Sequence, residues 1–152
     1  MKSFVTALVT FLVPASVFAS LVYMDTAELV EASDLIITGE VNRIESFYGA
    51  DSFIYSRAYV TVGDIMLGDY ESDVVEVVYP GGIVDGVGMA TSISPALDDG
   101  MDVVLFLKAS DEGEFVLTNH AASKFTVENG IVIEKGVSLA DFAGEITEAV
   151  NR

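Results

Sequence analysis

The sequence predicts an all-β domain: a small, partly open barrel of about five or six strands, with a short N-terminal helix and a C-terminal amphipathic helix. Three observations lead to this. Short runs of alternating apolar and polar residues recur between 35 and 134, each ended by Gly, Pro, Asn or Asp. Asn129-Gly130, set between two such runs, is the strongest short-range hairpin signal in the chain. Helical spacing with caps occurs only at the two ends of this region. With 152 residues the chain is long enough for one domain with a real core, and residues 20–152 are read as that domain.

Residues 1–19 read as a secretory signal peptide. Met1-Lys2 forms a short basic start and Phe4 to Val13 an apolar run, and Val17-Phe18-Ala19 offers a cleavage site after Ala19. A membrane anchor is the alternative, but the run is short and Pro14 interrupts it. The expected product is exported to the periplasm or the medium.

Asp25-Thr26-Ala27-Glu28 has the form of a capping box, opening a short helix to about Ala32. Asp34 leads into a strand from Leu35 to Ile44, with Leu35, Ile37 and Val41 on one side. Gly39 inside it marks either a bend or a close-packed position. Phe47 to Asp51 reads as a turn, and Phe53 to Ile65 as a second strand. There Ala58, Val60 and Val62 face one way; Tyr55, Arg57, Tyr59 and Thr61 face the other. Val74 to Tyr79 is a third, central strand stopped by Pro80-Gly81-Gly82, because proline lacks the ladder donor and glycine permits positive φ. Met101 to Lys108 is a fourth strand, apolar on both faces and a candidate to pair with the third. Between them, Gly81 to Gly100 reads as a long irregular loop, of the kind that carries function. Asp111-Glu112-Gly113 turns into a strand from Glu114 to Thr118, and Lys124–Glu128 pairs with Ile131–Glu134. Ser138, with Asp141 three residues on, caps a helix whose Leu139, Phe142, Ile146 and Val150 share a face.

Charge narrows the partners. Acidic residues number 24 against 7 basic ones, a net charge of −17. Such a chain repels phosphate backbones and anionic membranes, so neither nucleic acid nor membrane is an expected partner. The acidity suits either capture of a cation or basic partner, or plain solubility. Cysteine is absent, which excludes thiol catalysis, cysteine–zinc sites and a lipidated cysteine.

Motifs for chemistry are sparse. His120, the only histidine, is the residue on which an alternative reading as a carboxylate-dependent hydrolase would rest, although a solvated loop histidine is the ordinary outcome at such a position. Asp98, Asp99 and Asp102 offer oxygens to Ca²⁺, but too few and without a bidentate glutamate; an acidic turn explains them as well. No helix follows the glycines from Gly81 to Gly88, so they do not form a phosphate loop. No cofactor motif is present and none is expected. The face carrying Tyr55, Arg57 and Tyr59 suits either ligand contact or cross-strand aromatic pairing. With Gly81, Gly82 and Asp85 of the following loop, it supplies the candidate binding residues.

The stretch Ser33-Asp34-Leu35-Ile36-Ile37-Thr38-Gly39-Glu40-Val41 resembles the opening strand of a group of exported bacterial proteins of unassigned function. The likeness continues through Leu67-Gly68, Val75 to Gly82, Pro95 to Leu107 and Ser123 to Val127. The order also resembles the OB-like barrel of netrin-type and metalloproteinase-inhibitor modules. Two positions depart: Leu67 stands where that pattern has lysine, and the inhibitors' zinc-chelating N-terminal cysteine is missing. The resemblance implies an OB-like barrel without the inhibitors' zinc chemistry and leaves function open. The expected function, resting on the Gly81 to Gly100 loop and the face of Tyr55, Arg57 and Tyr59, is a secreted, non-enzymatic binding or interaction module for a protein or small-molecule partner. Export of the chain should yield a product beginning at Ser20; N-terminal sequencing or intact mass of protein recovered from the periplasm or medium checks this, and a retained Met1 refutes it.

Overall fold

The computed structural model describes residues 23–152. The expected signal peptide lies outside the described residues. Helix α1 (Thr26–Ala32) opens on the capping box: Asp25 Oδ1 accepts from the Glu28 N–H at 2.9 Å, and Glu28 Oε2 from the Asp25 N–H at 2.8 Å. Five strands then form the barrel: β1 (Leu35–Tyr48), β2 (Ile54–Leu67), β3 (Val74–Pro80), β6 (Asp102–Ala109) and β7 (Phe115–Leu117). Between them lies the small hairpin of β4 (Gly82–Val84) and β5 (Val87–Met89). After a 3₁₀ turn at His120–Ser123 come β8 (Lys124–Glu128), β9 (Ile131–Val132), β10 (Val137–Ser138) and helix α2 (Leu139–Val150).

The ring runs β1-β2-β3-β7-β6 and closes where β6 pairs with the first half of β1. All barrel pairings are antiparallel except β3–β7, a parallel seam of one register pair, Val77 with Phe115. This is the OB connectivity, and the barrel is closed where a partly open one was expected, because β1 is long enough to pair with both β2 and β6. Closure requires β1 to bend, and its pairing with β2 shifts register around Ile37, Gly39 and Val41. Gly39 serves both roles foreseen for it. It sits at a shift, and a Cβ there would lie only 2.7 Å from Val60 Cγ1.

Alternation builds two cores from the same strands. Leu35, Ile37, Val60, Val77 and Leu105 fill the barrel, while Ile36, Val104 and Phe106 point outward beneath α1 and α2. Under α2, Phe142 meets Phe125 with ring centroids 4.9 Å apart, and Phe125 meets Phe106 at 5.6 Å. Ser138 caps α2 by accepting from the Asp141 N–H at 3.0 Å. Of the four residues expected on its inner face, Phe142 and Ile146 are fully buried, whereas Val150 in the last turn is exposed.

Several expectations need correction. The third and fourth apolar runs do not pair. β3 lies between β2 and β7, and β6 between β1 and β7, because the short β7 inserts where a direct pairing was expected. β1 continues through Phe47 and Tyr48, which pair with Tyr55 and Ile54, so the turn is confined to residues 49–53. The segment after Pro80 is also more ordered than a loop. Gly81 and Gly82 have φ of 106° and 137°, and a side chain on Gly82 would overlap the hydroxyls of Ser46 and Ser56. The β4–β5 hairpin follows, turned by Asp85 and Gly86 at φ of 51° and 80°. The rest of the segment closes one end of the barrel. Leu97 is buried in the inner core, the Gly100 N–H donates to the Val41 carbonyl at 2.6 Å, and the Val41 N–H to Met101 at 2.9 Å.

Phe142 joins the outer core to α2, so Phe142→Ala should cost about 3–5 kcal/mol. Urea unfolding should show a lower midpoint with little change in slope, and an unchanged midpoint would refute this role for the ring.

Candidate functional site

Helices cover the outer face of β1 and β6 and reach the end of β2 at Met66 and Leu67, and the outer face of the first half of β2, with β3 and β7, is left open. Register determines what it presents: Tyr55 opposite Pro80, Arg57 opposite Val78, and Tyr59 opposite Glu76. From β1, Phe47, Glu45 and Arg43 stand beside Tyr55, Arg57 and Tyr59 in turn. The three side chains singled out in the sequence therefore do share one face.

Two hollows adjoin on this face and share Tyr55 and Val78 as walls. One, of about 220 Å³, is lined by Tyr55, Val78, Tyr79, Pro80, Ile93, Val116, Leu117 and His120 and is mostly apolar. The other, of about 550 Å³, lies between the β1–β2 turn and the β6–β7 turn, against Phe47, Tyr48, Asp51, Tyr55, Glu112 and Glu114.

The polar groups here are held in place. The Tyr55 hydroxyl donates to Asp51 Oδ2 at 2.8 Å, and the Phe53 N–H donates to Asp51 Oδ1 at 3.1 Å. The hydrogen bond from Tyr55, then that from Phe53, holds the Asp51 carboxyl below the usual carboxylate range. The same bond pushes the Tyr55 phenol up. Arg57 pairs with Glu114, and its Nε lies 3.2 Å from Glu76 Oε2 in a geometry too bent for a hydrogen bond. Its guanidinium carbon sits 5.2 Å from the centre of the Phe47 ring. The Glu114 hydrogen bond raises the Arg57 pKa further, against the opposing effect of burial, so this arginine is a permanent cation.

The remaining candidates lie elsewhere or serve the fold. Tyr59 is taken up by its neighbours: Arg43 sits 4.1 Å over its ring and its hydroxyl donates to Glu45 at 3.1 Å. Gly81 and Gly82 pack against serines behind the groove, the Gly81 carbonyl accepting from Ser56 Oγ at 2.7 Å. Asp85 is exposed at the tip of the β4–β5 turn. Asp98, Asp99 and Asp102 line a separate acidic hollow with Glu128 and Asn129. Among the described residues no three His, Asp or Glu side chains converge as metal ligands. His120, at φ of 50°, lines the apolar hollow and makes no ion pair among the described residues.

The sequence reading missed Phe47, Asp51, Val78, Ile93, Val116 and Glu114. Asp51, two residues before Phe53 in a turn, carried a readable signal, that of an aspartate bonding its own backbone. The others meet through the β3–β7 seam, the turns and the segment that closes one end of the barrel, which no local pattern reveals.

Compared with known proteins, the chain matches no family model and no curated sequence.

Asp51→Asn removes the carboxylate that Tyr55 bonds to. The Tyr55 phenol should then ionise at lower pH, nearer its ordinary range, as followed by the ¹³Cζ shift of labelled tyrosine; an unmoved titration would show that the pair does not form in solution.

Proposed function

We propose that this is an exported, non-enzymatic binding module, and that its binding surface is the groove along the outer face of β2, β3 and β7. The observation that carries this reading is the adjoining pair of hollows, one apolar and one rimmed with polar groups, on the side of the barrel that the helices leave open. Ligand sites are commonly concave and largely apolar, with a few polar groups fixed in place, and Asp51, Tyr55, Arg57 and Glu114 are such groups here. The groove is formed by strands and tight turns, so little ordering is needed before a partner binds. OB barrels in general bind across the faces of strands 2 and 3 between their connecting loops, and this groove has the same position. That is an analogy of place and says nothing about the ligand.

Export follows from the basic and apolar start of the sequence and the site after Ala19. The net charge of −17 favours a protein or small-molecule partner over nucleic acid. Among the described residues no helix is long and apolar enough to cross a membrane.

A photoreactive benzoylphenylalanine at Ala50, on the groove rim, should crosslink to a partner in the exporting cell or its medium, and mass spectrometry would identify the adduct. The same group at Glu148, on the exposed side of α2, should give no such adduct. Equal adducts at the two positions, or none at Ala50, would refute the groove as the binding surface.

A further inference from the structure

The larger hollow has the chemistry of a cation cradle, and the protein's own Arg57 shows it in use. Its guanidinium lies over the Phe47 ring at 5.2 Å while pairing with Glu114. The cradle has more negative charge than Arg57 can neutralise. Asp51, Glu112 and Glu114 line the hollow, and of these three carboxylates only Glu114 is paired with Arg57, which also serves Glu76 outside it. Glu112 makes no ion pair among the described residues, and Asp51 is held ionised by Tyr55 and Phe53. The rings of Phe47 and Tyr55 stack at 6.2 Å with 27° between their planes, giving a second cation an aromatic wall on which to lie.

The neighbouring apolar hollow narrows the choice of occupant. A free inorganic cation has no use for a wall of Val78, Ile93 and Val116. A peptide that carries an apolar and a basic side chain uses both hollows. In an extended backbone, side chains two residues apart point the same way, which suits two hollows that share a wall.

We propose that the groove binds an extended peptide segment of a partner protein, placing a lysine or arginine side chain among Phe47, Tyr55, Asp51 and Glu112 and an apolar side chain two residues away in the hollow formed by Val78, Ile93 and Val116. This rests on the groove being the binding surface. The net charge of −17 adds long-range attraction for such a partner and speeds its arrival.

Three blocked pentapeptides test the assignment by amide NMR titration of the ¹⁵N-labelled protein. One carries leucine at its second position and lysine at its fourth; the others replace lysine by glutamate or leucine by glycine. The leucine–lysine peptide should shift amides of residues 47–55, 76–80 and 112–117, more strongly at low than at high salt. The glutamate peptide should leave them in place, and the glycine peptide should bind more weakly. Asp51→Asn with Glu112→Gln should weaken the leucine–lysine peptide by about two- to thirtyfold, since exposed ion pairs contribute modestly. Glu112→Gln alone, which touches no packed group, should give part of that loss. Equal shifts by the lysine and glutamate peptides, or no effect of the double variant, would overturn the cation assignment while leaving the groove as a binding surface. Groove amides unmoved by all three peptides would overturn the peptide assignment, and the crosslink at Ala50 decides separately whether the groove binds anything at all.

Discussion

Closure of the barrel depends on a single strand pairing twice. β1 gives its first half to β6 and nearly its whole length to β2, so Ile36, Ile37, Gly39 and Glu40 pair with a neighbour on each edge. A flat strand cannot do this around so small a ring; it has to coil, and the register shifts near Gly39 supply the coil. Glycine is required there because the Thr61 backbone and Val60 side chain approach from β2 where a Cβ would point. The inner core follows from the bend, since it aims Leu35, Ile37 and Val41 at the barrel axis together.

The same closure makes the two outer surfaces unequal. The apolar outer residues of β1 and β6 need cover, and α1 and α2 provide it through Leu29, Phe142 and Ile146. β2 and β3 carry Tyr55, Arg57, Tyr59 and Glu76 on their outside, which tolerate water. The helices therefore settle on one side and leave the other bare. The open face also abuts the thinnest seam, β3–β7, where the β6–β7 turn and Ile93 rise beside the sheet and turn an otherwise flat surface into a groove.

How far this was legible in the sequence varied with the range of the interaction. Strands whose alternation is set by burial were readable, and β6, apolar on both faces, was correctly read as covered on both. The capping box at Asp25, the Asn129-Gly130 hairpin and the Ser138 cap are local chemistry and appear as expected. Asp85-Gly86 between apolar residues is a hairpin signal of the same kind as Asn129-Gly130, and it was hidden by the abundance of glycine around it. Strand partners were not legible where they depend on long-range contacts. Nothing near Val74 or Met101 announces that the three residues of β7 will insert between their strands. For the site, the alternation in β2 was enough to put Tyr55, Arg57 and Tyr59 on one face. Whether each was free or already engaged depended on Glu114, Arg43 and Asp51, which tertiary structure brings to them.

The position of Arg57 is the least expected feature of so acidic a chain. Its side chain is about 28% exposed, and its Nε is buried and makes no hydrogen bond, although it lies within ion-pair distance of Glu76. Burying an arginine part-way costs desolvation that a surface ion pair only partly offsets. A hydrophobic residue opposite Val78 would pack without that cost, but it would leave Glu76 and Glu114 facing each other across the sheet with no cation between them. With Arg57 in place Glu76 and Glu114 share a cation that also lies over the Phe47 ring, and the electrostatic repulsion between those two is relieved. Asp51 and Glu112, which line the hollow with Phe47, have no cation paired with them among the described residues. The groove is thus ordered and still electronegative, a combination that a neutral lining could not give and that an unpaired acidic lining could not hold in shape.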